Sequence, residues 1–167
     1  MTLTNLPPAR QPGVTAIFVP VWDEAGVIGA MLHHCLTSWK DDAFRIFVGC
    51  YPNDPATISA VMAVAERDSR ISIVIGPEPG PTTKGDCLNA IWKAMQQKEE
   101  AQGWLFKAVV LHDAEDIVHR GEIRLFDHMI ERFDLVQIPV LPLVDQQSRW
   151  ISGHYCDEFA EGHCLLT

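Results

Sequence analysis

The sequence predicts an α/β protein with a mostly parallel sheet covered by helices on both faces. Short apolar runs rich in β-branched residues alternate with segments whose apolar residues recur at helical spacing. That alternation is the signature of parallel strands joined by helical crossovers. Glycine, proline and aspartate punctuate the joints, as turns and helix caps require. Acidic and polar residues gather directly after the apolar runs, which is where such sheets bind their ligands.

Residues 1–13 read as a loose, polar, proline-bearing lead-in, and 14–167 as one domain. Residues 14–21, VTAIFVPV, form the first strand. Residues 24–39 follow as a helix, with Val27, Ile28, Met31, Leu32, Cys35 and Leu36 at helical spacing and Asp23 in the place of an N-cap. Residues 44–49, FRIFVG, form the second strand. A helix runs from Asp54 to residue 68, with the aspartate as cap and Pro55 in the first turn, where a missing N–H costs nothing. Residues 71–75 form the third strand, and the glycine- and proline-rich stretch 76–83 is a loop. A third helix spans 86–102, with Leu88, Ile91, Trp92 and Met95 on one face. The fourth strand, 105–111, runs into His112-Asp113-Ala114-Glu115-Asp116. A helix over 122–132, a strand over 135–140 and a last helix over 157–165 complete the chain.

Of the 167 residues, 47% are apolar and 21% charged, which is globular composition for a single domain. Thirteen Lys and Arg against 22 Asp and Glu leave a net charge of −9. That excludes non-specific nucleic-acid binding, which needs cations against phosphates. It leaves a nucleotide ligand open, because acidic sites hold one through a bridging cation. No apolar run approaches the ~18 residues of a spanning helix, and residues 1–13 lack the basic-then-apolar order of a signal peptide. The odd cysteine set, Cys35, Cys50, Cys87, Cys156 and Cys164, contains no CxxC and points to reduced cytosolic thiols.

Carboxylates follow the first strand (Asp23, Glu24), the second (Asp54, after Asn53) and the fourth (Asp113, Glu115, Asp116). Asp23 and Asp54 serve equally well as helix caps. The fourth group is harder to read as an ordinary solvated turn, because clustered carboxylates repel one another unless a cation or hydrogen-bond donors offset them. Oxygen-rich sets of this kind suit Mg²⁺ or Mn²⁺ shared with substrate phosphates.

The ordered set VPVWDE, KGDCLN, VVLHDAEDIVH and DLVQIPV resembles the family 2 glycosyltransferases of the GT-A fold, over nearly the whole chain from Val14. The segments FVGCYPNDPAT and YCDEFAE are most similar to a membrane-bound bacterial subgroup that includes phage adsorption proteins. Cellulose and hyaluronan synthases share the plan more distantly. The resemblance implies a Rossmann-like GT-A domain. It implies metal-dependent, inverting transfer of a sugar from a nucleotide-diphosphate donor, most commonly a UDP-sugar, with Mn²⁺ or Mg²⁺ as cofactor.

Pro20, Trp22, Asp23 and Glu24 fall in the family's nucleotide-facing Pro-x-x-Asn-Glu motif, with Asp in place of Asn. Cys50-Tyr51-Pro52-Asn53-Asp54 replaces the usual two acids before Gly-Ser. There Tyr51 offers a ring to stack on the base, and Asn53 or Asp54 a hydrogen bond. Lys84 and Asn89 match the segment that lines the donor pocket, and a cation at a helix N-terminus suits a diphosphate. By the resemblance, Asp113 contacts the ribose and a metal-bound water, Glu115 ligates the metal and Asp116 is the alternative ligand. Such a metal acts as a Lewis acid on the leaving group. Gln137 would lie beside the acceptor region, with Asp157 and Glu158 also on the acceptor side. His119 stands where many relatives carry proline.

An inverting displacement needs a general base, which in the family lies further along than this chain extends. The expectation is therefore a truncated domain: the donor-binding half, inactive alone, with the base and membrane helices elsewhere in a longer protein. That protein would sit at the cytoplasmic face of the bacterial inner membrane, and an edge left open could favour a homodimer. Gln146-Gln147-Ser148-Arg149-Trp150 spells a pattern of processive synthases. There it follows a catalytic aspartate this chain lacks, so the match reads as coincidence. The main alternative is a non-catalytic nucleotide-binding or scaffolding module. A zinc site at His154, Cys156, His163 and Cys164 has non-standard spacing. A nucleotidyltransferase would carry a glycine-rich, basic loop where Trp22-Asp23-Glu24 stands.

Overall fold

The structure, a computed structural model, describes residues 8–138. Four parallel strands, β1 (Thr15–Pro20), β2 (Phe44–Cys50), β3 (Ile71–Ile75) and β4 (Ala108–Leu111), form one sheet in the order β3-β2-β1-β4. The helices are α1 (Ile28–Ser38), α2 (Pro55–Ala65), α3 (Lys84–Gln102) and α4 (Glu122–Met129). β1 is central: Thr15 to Pro20 pair with Phe44 to Gly49 on one side, and Thr15 to Phe18 with Ala108 to Leu111 on the other.

Strand pleating sends alternate residues to opposite faces. On one face Ala16, Phe18, Phe47 and Tyr51 pack with Cys87, Ile91 and Met95 of α3. Gly49 makes this possible, since a Cβ there would stand 2.5 Å from the Cys87 sulfur and 2.7 Å from Ile91. On the other, Ile17, Val19, Ile46 and Val48 are fully buried, as are Ile28, Leu32, Trp39 and Val61 of the first two crossovers. Each such side chain contributes about 1.5–3 kcal/mol of burial.

The sequence-based boundaries shift where local hydrogen bonds decide. Asp23 does not cap α1. It adopts φ +58°, outside the extended conformation of an N-cap, and the helix starts at Ile28 after Val27 with no side-chain cap. Asp54 does cap α2, its Oδ1 accepting the Thr57 N–H at 3.2 Å with Pro55 in the first turn. α2 stops at Ala65 rather than 68, and Asp68 binds the Arg70 guanidinium through both oxygens in the turn that follows. α3 begins at Lys84, two residues early, because Thr83 and Asp86 form a reciprocal capping box. It ends on Gly103, whose φ of +72° favours glycine.

β4 starts at Ala108, not 105, because the Phe106 N–H is taken by Glu99 at 2.8 Å rather than by a strand. α4 closes at Met129, short of 132. The strand expected over 135–140 is not seen in residues 135–138, which have no ladder partner among the described residues. Residues 139 and 140 and the expected helix over 157–165 lie outside the described residues.

The lead-in is pinned at its end. Lys107 Nζ, mostly buried, meets the Asp127 carboxylate at 2.7 Å, Glu131 at 3.1 Å and the Gln11 carbonyl at 2.6 Å. Glu131 accepts the N–H groups of Gln11 and Arg10 at 2.8 and 3.1 Å. The Gln11 and Arg10 N–H groups, together with Lys107, outweigh the opposing effect of burial and hold the Glu131 carboxyl down at about 2, from an ordinary 4.5. A depressed folded-state value stabilises above the unfolded-state value and is lost as pH falls through the folded one. Amide exchange at Arg10 and Gln11 should therefore lose its protection as pH drops from 4.5 toward about 2, while β1 amides keep theirs. Glu131→Gln should abolish that pH dependence.

Candidate functional site

Because all four strands run parallel, the segments that follow them meet along one edge. The β1 exit is fixed first. Val21 N–H bonds the Gly49 carbonyl at 2.9 Å, Asp23 N–H bonds Asp54 Oδ2 at 2.8 Å, and Glu24 N–H bonds Thr57 Oγ1 at 3.0 Å. The caps of α2 thus also hold the turn after β1. Burial alone would raise the Asp54 carboxyl; hydrogen bonds from Thr57 and Asp23 reverse this and hold it below the usual carboxylate range.

Trp22 and Tyr51 meet edge to face, with centroids 5.3 Å apart and planes at 90°. The loop 76–83 straps across them. Asn53 binds Gly80 reciprocally, Nδ2 to the carbonyl at 2.8 Å and Oδ1 to the N–H at 2.6 Å, and the Tyr51 hydroxyl meets Thr82 Oγ1 at 3.0 Å. Tyr51 is buried and Asn53 exposed. Of the two side chains that the sequence offers to a base as hydrogen-bonding groups, Asn53 is engaged by this strap and Asp54 by the Asp23 and Thr57 N–H groups.

The acids assemble at the other end of the edge. Asp23, Glu115 and half-exposed Asp113 surround Glu24, whose carboxyl is raised by burial and then by repulsion from Glu115, Asp23 and Asp113. Lys84, at the N-terminus of α3, pairs with Asp113 Oδ1 at 2.5 Å. Asp116 Oδ2 accepts the Asp113 N–H and meets His112 Nδ1, both at 2.9 Å. His112, above all, holds the Asp116 carboxyl below its ordinary value. Pro20 ends β1 opposite Gly49, and Asn89 is exposed on α3. Gln137 is exposed; Asp157, Glu158, the 146–150 segment and the His/Cys cluster near the end lie outside the described residues.

Sequence reasoning gave His112 and Glu122 no role, yet His112 Nε2 meets buried Glu122 at 2.7 Å. Burial would lower the His112 value, but Asp116 and Glu122 raise it to about 9. His119 also acts structurally: its carbonyl accepts the Trp39 indole N–H at 3.1 Å and its Nδ1 the Gly121 N–H at 3.1 Å. Of the adjacent pair His33-His34 on α1, His33 is exposed while His34 packs, its Nε2 3.0 Å from the Val118 carbonyl.

A family model described as glycosyltransferase like family 2 matches residues 12–166. The chain belongs to that family. Its parallel sheet flanked by helices is the Rossmann-like arrangement of a GT-A domain. The chain is similar to bacteriophage adsorption protein B of Escherichia coli strain K12, with 44% identity over 148 residues and 89% of this chain. Bacteriophage N4 adsorption protein B of Escherichia coli O157:H7 matches equally, at 44% over 148 residues. The chain spans only 20% of the length of either relative. Family 2 enzymes generally use a divalent metal and a nucleotide-sugar donor. Among the described residues no group of three or more His, Cys, Asp or Glu is close enough to hold an ion. The acids therefore lie near enough to repel, as Glu24 shows, without converging on one point.

Gly80 is the tightest position in the strap: a Cβ there would stand 2.6 Å from the Trp22 ring and 2.7 Å from Tyr51. Gly80→Ala should destabilise the protein by about 1–3 kcal/mol in urea unfolding. An unchanged midpoint would show that the strap does not seat on these rings.

Proposed function

We propose that this chain is the donor-binding part of a metal-dependent, inverting glycosyltransferase that takes a sugar from a nucleotide diphosphate, with UDP the expected nucleotide. The observation that carries the reading is the under-compensated acid group Asp23, Glu24, Asp113 and Glu115 beside Lys84, at the carboxyl edge of a family 2 sheet. Carboxylates crowded together, with Glu24 raised by burial and by its acidic neighbours, offer the oxygen donors a hard divalent cation prefers. Asp113 and exposed Glu115 would hold Mn²⁺ or Mg²⁺; Asp116 has one oxygen already committed to His112 and the Asp113 N–H. When bound, the cation offsets charge on the departing diphosphate.

The chain's own residues do the rest. Lys84 and the free N–H groups at the start of α3 attract the diphosphate. Trp22 and Tyr51 wall the nucleotide end, and Glu24 stays beside the acids that face the ribose. The base that deprotonates the acceptor belongs to the longer protein, as do the segments that would hold the domain at the cytoplasmic face of the bacterial inner membrane. Among the described residues, no helix is long and apolar enough to cross a membrane.

Titration of UDP into the chain should give binding with Mn²⁺ that EDTA removes. Asp113→Asn and Glu115→Gln should each abolish the metal-dependent part while leaving thermal unfolding nearly unchanged, since both side chains are solvent-accessible. Metal-independent binding, or none, would overturn the donor-site reading. Binding here with no sugar transfer by the full-length protein would instead identify a nucleotide-sensing module.

A further inference from the structure

The acids at the end of β4 are presented by a loop, and one side chain clamps that loop from inside. The His112 side chain is only 11% exposed. Its Nδ1 lies 2.9 Å from Asp116 Oδ2 and its Nε2 2.7 Å from Glu122 Oε1. Both ring nitrogens face carboxylates, so both carry protons and donate. The two carboxylates do not end there. Asp116 Oδ2 also takes the Asp113 N–H, and Glu122 Oε2 the His119 N–H at 3.4 Å. The ring thus joins the start of the acidic turn to the first residue of α4. Trp39 of the α1 C-cap lies tilted against the His112 ring, with centroids 5.8 Å apart, and donates to the His119 carbonyl, while His34 reaches the Val118 carbonyl.

This arrangement is expensive as pure packing. Glu122 is 4% exposed, and burying charged groups often stabilises less than apolar residues of the same volume. What the charges supply is a fixed geometry, in the way outer residues orient metal ligands. We propose that His112 is a positioning residue: clamped between Asp116 and Glu122, it fixes the turn that presents Asp113 and Glu115 to the diphosphate and its cation. The role rests on the donor-site reading above. His112 touches neither ligand nor metal; it acts through Asp116 and the Asp113 backbone.

The test separates positioning from stability. His112→Phe leaves the Glu122 carboxylate buried without its cationic partner, with only the long His119 N–H contact remaining, and should lower the thermal midpoint. The double variant His112→Phe/Glu122→Leu removes that unpaired charge and should recover most of the midpoint. If His112 positions the turn, the recovered double variant still binds UDP with Mn²⁺ about 10–100-fold more weakly than wild type, the range found when outer residues of metal sites are lost. Its amides over 113–116 also exchange faster in metal-free protein. A recovered double variant with wild-type affinity and wild-type exchange overturns the role.

Should the variants not fold, the wild type decides. Both His112 ring protons should appear as slowly exchanging resonances coupled to the Asp116 and Glu122 carboxyl carbons, and their absence overturns the clamp. Failure of the wild type to bind UDP with Mn²⁺ is a distinct result. It removes the donor site itself, and the positioning role with it, whatever the variants do.

Discussion

Parallel pairing on both sides of β1 is the constraint on which the rest depends. Because β2 and β4 each run alongside β1 in the same direction, every strand delivers its following segment to the same edge. An antiparallel neighbour would have sent either 51–54 or 112–116 to the opposite end of the sheet. The crossovers between parallel strands must also cover a face, so α3 closes over Phe18 and Phe47 and sets Lys84 at that same edge. One ladder pattern thus brings together a tryptophan, four carboxylates and a lysine from positions as far apart as Trp22 and Glu115.

The edge divides into two differently wired halves. Near β2 the polar groups are used internally. Asp54 binds backbone N–H groups of two segments, and Asn53 pairs with the Gly80 peptide much as one amide pairs with another. In that half the Asp54 and Asn53 acceptors each have their donors. Near β4 the acids outnumber their partners: Lys84 answers Asp113, His112 answers Asp116, and Glu24 is left among like charges. An excess of carboxylate at one end of a ligand edge, beside a helix N-terminus, has a natural complement in a cation-bridged diphosphate.

The strap changes how the second motif is understood. Family 2 proteins usually carry two acids and a Gly-Ser there, whereas this chain has Tyr51, Asn53 and Asp54. In the fold Tyr51 faces inward against Trp22, and Asn53 holds Gly80. The sequence departure is thus compensated by a local structure, a glycine- and proline-rich loop seated on two aromatic rings.

The elements were legible because their signals are local. β-branched runs between breakers marked the four strands, and Asp54-Pro55 marked a helix start. Family resemblance then placed the motifs at the strand ends. What the sequence could not show was which acid answers to which donor. Asp23 looks like a cap for the next helix, but its N–H is captured by Asp54, thirty-one residues later, and its φ turns positive. Glu122 looks like an ordinary first-turn acid, yet it is buried against His112, ten residues earlier. Propensity and periodicity act over a turn or two of chain and were enough to determine the layers. Partners for charged groups are chosen by desolvation and distance across the fold, so only the tertiary structure decided which carboxylates are paired within the fold and which are left among like charges.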